Sequence, residues 1–166
     1  MSQQFIAEQF EAALIQLKYE ISSYTHRGNI WQIHRDIKNS AGTLCLHLLG
    51  NLNHFIGAGL GNTGYTRNRD LEFSERDMHT SKMMKDIDEA TYRVKVIISG
   101  LSDEQMKTEY PLKDGRPGNT TEERLFHLIA HLNYHIGQID YHRRLIEPPT
   151  SFPDGVEKLE NRNLLP

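Results

Sequence analysis

A chain of 166 residues with 37% apolar and 25% charged side chains has the size and composition of one globular domain with one core. No stretch approaches the roughly 20 apolar residues of a membrane-spanning helix, and a net charge of -3 with mixed signs argues against a nucleic-acid binder. The opening residues lack the basic-then-apolar order of a secretory signal and the single cysteine, Cys45, excludes an internal disulfide, so a cytoplasmic protein is expected.

Four segments carry helical periodicity, and no internal repeat is evident. In the first, Phe10, Leu14, Leu17, Ile21 and Tyr24 recur by fours and threes, which makes one apolar stripe, with Gly28 beyond its end. In the second, Leu44, Leu48, Leu52 and Phe55 share a face. Asn39 or Ser40 can cap its start, and Gly57, Gly59 and Gly61 are expected to weaken its end. Asn62 to Asp77 reads as a long polar loop. The third stripe is Met84, Ile87, Thr91, Val94, Ile98 and Leu101. Its segment Val94–Ile98 is β-prone, but the longer helical pattern outweighs that. A second loop spans Leu101 to Asn119, with Pro111, Asp114-Gly115 and Pro117-Gly118. The fourth stripe is Leu125, Leu128, Leu132, Ile136, Ile139 and Ile146. Thr120 and Glu123 form a capping box at its start, and Pro148-Pro149 end it because proline cannot continue the hydrogen-bond ladder. The expectation is an all-α, single-domain four-helix bundle over residues 1–166, with long connecting loops and residues 148–166 as a loosely packed tail.

The chain has nine histidines, and their placement is the chemical signal. His127, His131 and His135 follow one another at four-residue steps on the fourth helix. Side chains four apart lie one turn apart on one side, so two imidazoles at that spacing can point at one metal ion. With Leu128 at zero on a wheel of about 100° per residue, His135 falls near -20°, His131 near -60° and His127 near -100°. The first two border the core; the third points further toward solvent. A third ligand must come from another helix, where His47 and His54 both border the apolar stripe. They are about 10 Å apart along the axis, and periodicity does not choose between them. His26, His34, His79 and His142 read as surface or loop residues.

The segment His127-Leu-Ile-Ala-His131-Leu-Asn-Tyr-His135-Ile-Gly-Gln138, an H-x-x-x-H followed by x-G-Q, resembles the last helix of the DinB/YfiT-like superfamily of metal-binding four-helix bundles. The segment Leu46-His47-Leu48-Leu49-Gly50-Asn51-Leu52 is similar to that superfamily's second-helix motif. The resemblance implies an up-down-down-up bundle, often a homodimer. It also implies a divalent metal, usually nickel or zinc, on three histidines near one end. Carried over by position, the ligands are His47, His131 and His135, and His127 matches a histidine one turn before the ligand pair that is not a ligand. The loop from Leu60 to Phe73 resembles a less characterised branch.

A site of three neutral imidazoles leaves the ion its charge and an open position, which acidifies a water or a thiol. Relatives of the superfamily include thiol-dependent S-transferases and isomerases. The expected function is therefore activation of water or a low-molecular-weight thiol cosubstrate for attack on a small electrophile. The alternatives are a non-catalytic metal-binding bundle and a stress-related small-molecule binder. No general base is evident, since His131-Leu132 lacks the glutamate of the zinc-protease motif. Cys45, two residues from His47, projects off the ligand face and reads as packing. Asn51, His54, His127 and Gln138 are the residues expected to support the site or meet substrate. For Asn51 and Gln138 the competing reading is an interhelical amide hydrogen bond. Arg67, Arg69 and Arg116 fall in loops, able to meet an acidic cosubstrate or simply solvated.

Overall fold

The computed structural model describes residues 2–112 and 119–147, and among these the protein is all-helical. The one extended pairing there is an isolated bridge between Glu109 and Thr120. Arg116, the Asp114-Gly115 and Pro117-Gly118 turns, and the tail from Pro148 lie outside the described residues.

Helix α1 (Gln3–Ser22) starts where the Ser2 side chain accepts a hydrogen bond from the Phe5 N–H at 3.2 Å. Its stripe of Phe10, Leu14, Leu17 and Ile21 is fully buried. A 3-10 turn at Asn29–Trp31 leads to α2 (Ala41–Leu52), capped by Ser40 rather than Asn39. Every residue of α2 except Leu46 is buried, so this is the central helix.

The glycines after α2 do not end it. The chain continues through a widened π turn, Asn53–Ala58, into a short α3 (Gly59–Gly61), and stops at Asn62 with φ 49°. The reason is tertiary. A Cβ on Gly59 would overlap the Tyr110 hydroxyl, and one on Gly61 would overlap the Ile97 side chain, so these glycines permit close packing.

Both expected loops contain a helix too short to show periodicity. Within residues 62–77 lies α4 (Arg69–Ser74), capped by the Asn68 side chain. Within 101–119 lies α6 (Asp103–Lys107), with a Ser102/Gln105 capping box. Between them runs α5 (Thr80–Ser99), whose buried face is Met83, Ile87, Ala90, Val94 and Ile98. Met84 and Thr91, expected in that stripe, are only partly buried, and Leu101 lies past the helix end. The last helix, α7 (Thr121–Ile146), has the expected capping box of Thr120 and Glu123. It buries Leu125, Leu128, Leu132, Ile136 and Ile139.

Side-chain pairs give the helix directions. Gln4 meets Ser99, Glu11 meets Lys95 and Lys18 meets Asp88, so α1 and α5 are antiparallel. His47 meets His131 and Phe55 meets Arg124, so α2 and its π turn run antiparallel to α7. Glu20 near the end of α1 pairs with Arg143 near the end of α7 at 2.6 Å. No helix among the described residues is long and apolar enough to cross a membrane.

Candidate metal centre

The antiparallel crossing of α2 and α7 brings His47, His131 and His135 together. His131 Nε2 lies 3.3 Å from His47 Nε2 and 3.1 Å from His135 Nε2. A tetrahedral ion with ligands at about 2.0–2.1 Å separates its ligand nitrogens by about 3.4 Å, close to these spacings. The three rings meet edge-on, at 73° for His47 and His131 and 86° for His131 and His135. Three ring nitrogens converging like this cannot all be satisfied by one another, and the group can hold a metal ion. His54 is not in the group; its ring packs against Phe55.

The opposite ring atoms show how two of the three imidazoles are oriented. His47 Nδ1 lies 3.1 Å from Glu72 Oε2, and His135 Nδ1 lies 2.7 Å from Gln138 Oε1. Each oxygen accepts the Nδ1 proton, which leaves the Nε2 lone pair facing the centre, as metal-binding histidines require. Gln138 also donates to the Tyr134 hydroxyl at 3.1 Å. The amide is thus held within α7 and serves the histidine one turn before it, not a neighbouring helix. His131 Nδ1 is buried and has no partner among the described residues.

Burial and neighbouring charges favour the neutral form of His131 and His47. Burial pushes His131 down to about 4, with the charges of His135 and His47 adding to the effect. Burial also lowers His47, opposed by Glu72. A neutral imidazole is the ligating form, so the shifts of these two rings favour metal binding.

Residues 4–150 match the family described as protein of unknown function DUF1572. The chain belongs to that family. No curated protein and no solved structure matches it. In this DUF1572 chain, therefore, chemistry has to be read from the site itself.

Glu72 is the principal residue that sequence reading missed. It sits on α4, inside what read as a long polar loop, and is 5% exposed. Arg67 grips it from the other side, Nε to Oε1 at 2.6 Å and Nη2 to Oε2 at 2.8 Å. Arg67 is thus not a solvated loop residue; its side chain is 12% exposed. Arg124 was also missed, although a signal existed. On the wheel used above it falls near -40°, between His135 and His131. It is buried, with its guanidinium 5.7 Å from the Phe55 ring centre and 5.0 Å from that of Tyr110.

In front of the histidines lies a cavity of about 220 Å³, bounded by His47 and His131 on one side. Its remaining wall includes Asn51, Phe55, Arg67, Arg69, Arg124 and His127. Asn51 is 8% exposed and its amide has no hydrogen-bond partner among the described residues, so the expected interhelical bond is not made. His127 is exposed and stacks on His131 with ring centres 6.4 Å apart. Cys45 is fully buried and its thiol is pushed up to about 12, consistent with packing.

His142 corrects an expectation. It is 2% exposed, not on the surface. The Tyr24 hydroxyl donates to its Nδ1 at 2.7 Å and its Nε2 donates to the Gln32 carbonyl at 2.9 Å. His26 and His79 are exposed, as expected, and His79 caps α5.

Proposed function

We propose that this chain is a metal-dependent enzyme of the DinB/YfiT-like superfamily that activates a small thiol or water for attack on a small electrophile. The observation that carries the reading is the convergence of three Nε2 atoms beside a cavity. Among the described residues no fourth histidine, cysteine or carboxylate joins the group, which favours an open centre over a closed structural one. A four-helix bundle of up-down-down-up order is part of the proposal, supported by the antiparallel pairings of α1 with α5 and of α2 with α7. So is a homodimer, on the strength of the resemblance alone.

Nickel or zinc suits three imidazoles, and either supplies the Lewis acidity that makes water or a thiol nucleophilic at neutral pH. The chain's own residues do the rest. His47, His131 and His135 offer lone pairs, while Glu72 and Gln138 hold the Nδ1 protons of two of them. Arg67 neutralises Glu72, so the ligand set stays formally uncharged.

The test is elemental analysis of protein purified without a metal-affinity tag. About one nickel or zinc per chain is expected, with loss of that metal in His131→Ala. Full occupancy in the variant would refute the ligand set. Thiol-dependent consumption of monochlorobimane, present with metal and absent after chelation, separates an enzyme from a passive metal binder.

A further inference from the structure

Gly137 lies inside α7, where a glycine weakens a helix relative to alanine. The glycines of α2 are explained by close packing: a Cβ at Gly42 would overlap Trp31, and one at Gly50 would overlap Glu72. Gly137 differs. A Cβ there would meet nothing within 4 Å, and its φ is not positive. Nothing among the described residues takes up the room this glycine leaves.

That room belongs to a cavity. Tyr134 and Tyr141 stand three residues before Gly137 and four after it, so they flank it on one face of the helix. Their side chains are not packed away, at 64% and 67% exposed. With Gly137 they line a cavity of about 650 Å³, completed in part by Ile37 and by Leu44 of α2. This falls within the roughly 300–1,000 Å³ of small-molecule sites.

The charge of the lining narrows the ligand. No aspartate or glutamate lines the cavity, and its one formal charge is the exposed Lys38. His142 lines it too, but both of its ring nitrogens are already bonded, to Tyr24 and to Gln32. The Tyr134 hydroxyl accepts from Gln138 at 3.1 Å, so its own proton is not used in that bond. The Tyr134 ring centre lies 5.2 Å from that of His135, whose Nδ1 Gln138 holds. The cavity is therefore one turn along α7 from the candidate metal ligands.

We propose that this cavity binds a small uncharged aromatic molecule with a hydrogen-bond acceptor on its edge, its ring seated over the Gly137 backbone between Tyr134 and Tyr141. A flat ring approaches a helix backbone closely only where no Cβ stands up from it, and glycine is the residue that allows this. The two tyrosine rings supply offset or edge-on aromatic contacts. The acceptor takes the Tyr134 hydroxyl proton. A cation finds no carboxylate there. This deepens the metal-enzyme reading by naming the electrophile as an aromatic compound. It rests on that reading for its purpose alone, since none of the residues that form the cavity is a metal ligand.

The test is a ligand-observed NMR titration of the full chain with acetophenone, both zinc-loaded and after chelation. Cyclohexyl methyl ketone, its saturated counterpart, and benzylammonium are the comparisons. Saturable binding of one acetophenone per chain is expected, about 2–10-fold tighter than the saturated ketone, which is the worth of the aromatic contacts. Tyr141→Leu should weaken it by a similar factor. Gly137→Leu, which fills the seat, should weaken it about tenfold or more. Zinc content should not change in either variant. Gly137→Ala should melt about 1–4 °C higher than the parent chain. Equal binding of the two ketones, tighter binding of benzylammonium, unchanged affinity in Gly137→Leu, or no saturable binding overturns the proposal. A lower melting temperature in Gly137→Ala would assign the glycine to packing within the chain and overturn it as well. So would acetophenone binding that disappears when the protein is made about tenfold more concentrated, because a second copy would then be the occupant. Acetophenone bound by a chain that takes up no zinc would sink the metal reading and leave this one standing. Zinc bound in full without acetophenone would do the reverse.

Discussion

Gly50 on α2 lies directly beneath the carboxylate of Glu72 on α4. A Cβ at Gly50 would overlap that carboxylate, the same group that holds His47 Nδ1 at 3.1 Å. A glycine in mid-helix costs about 0.5–1 kcal/mol relative to alanine, so the chain gives up helix stability to admit the carboxylate. Gly50→Ala should therefore bring no gain in thermal stability and should weaken zinc binding about 10–100-fold by displacing Glu72. Competition with a chromophoric chelator measures the affinity. A higher melting temperature with unchanged affinity would contradict the link.

Gln138 holds the third ligand as Glu72 holds the first. Gln138→Ala should weaken zinc about tenfold, the lower end of such effects because water can reach this exposed position. His54→Ala, outside the ligand group, should leave zinc stoichiometry and affinity unchanged. Loss of metal in His54→Ala would mean that the ligands are misassigned.

Zinc that binds only the folded state should stabilise it by mass action, by about 2.7 kcal/mol at a hundredfold excess over the dissociation constant. The melting temperature should fall on chelation and recover with zinc. His131→Ala should melt at the same temperature with or without zinc.

Glu20, 1% exposed, is held by Arg143 at 2.6 Å and by Gln16 at 2.6 Å, with Arg143 eight residues past His135 on α7. Arg143→Leu leaves a buried carboxylate without its cation, which should cost about 3 kcal/mol in urea unfolding. Metal content should not change. A cost under about 0.5 kcal/mol would show that the pair is effectively solvated.

His142 gives the fold a pH dependence independent of metal. Burial lowers its pKa below the usual value near 6.5, so the folded chain keeps it neutral. The unfolded chain takes up the proton as pH falls through about 6.5, while the folded chain resists until a lower pH. Stability should thus be full above about pH 7 and decline as pH drops below 6.5. In chelated protein His131, pushed down to about 4, acts in the same direction. Urea midpoints at about pH 7.5 and 5.5 should differ less in His142→Gln than in the parent chain. An unchanged difference would show that His142 titrates alike in both states.

The long helices and two of the three histidines of the metal group were legible in the residues because both are local. A stripe recurring every three or four residues, the Thr120–Glu123 box and the His131–His135 pair all follow from the geometry of one helix. The same wheel puts Arg124 near -40°, beside them, a signal that was present but not read. Other features needed the packed chain. Periodicity left His47 and His54 equivalent; the motif resemblance named His47, and the crossing of α2 against α7 is what brings its ring to the other two. Glu72 had no signal, because α4 is six residues long and its place is set by Arg67 and Gly50, not by a pattern of its own. His142 looked exposed because nothing in its neighbours announces Tyr24, which lies 118 residues away in the chain. Helix geometry repeats with every residue and can be read along a line. The convergence of separate segments depends on side chains that meet only after the chain has folded.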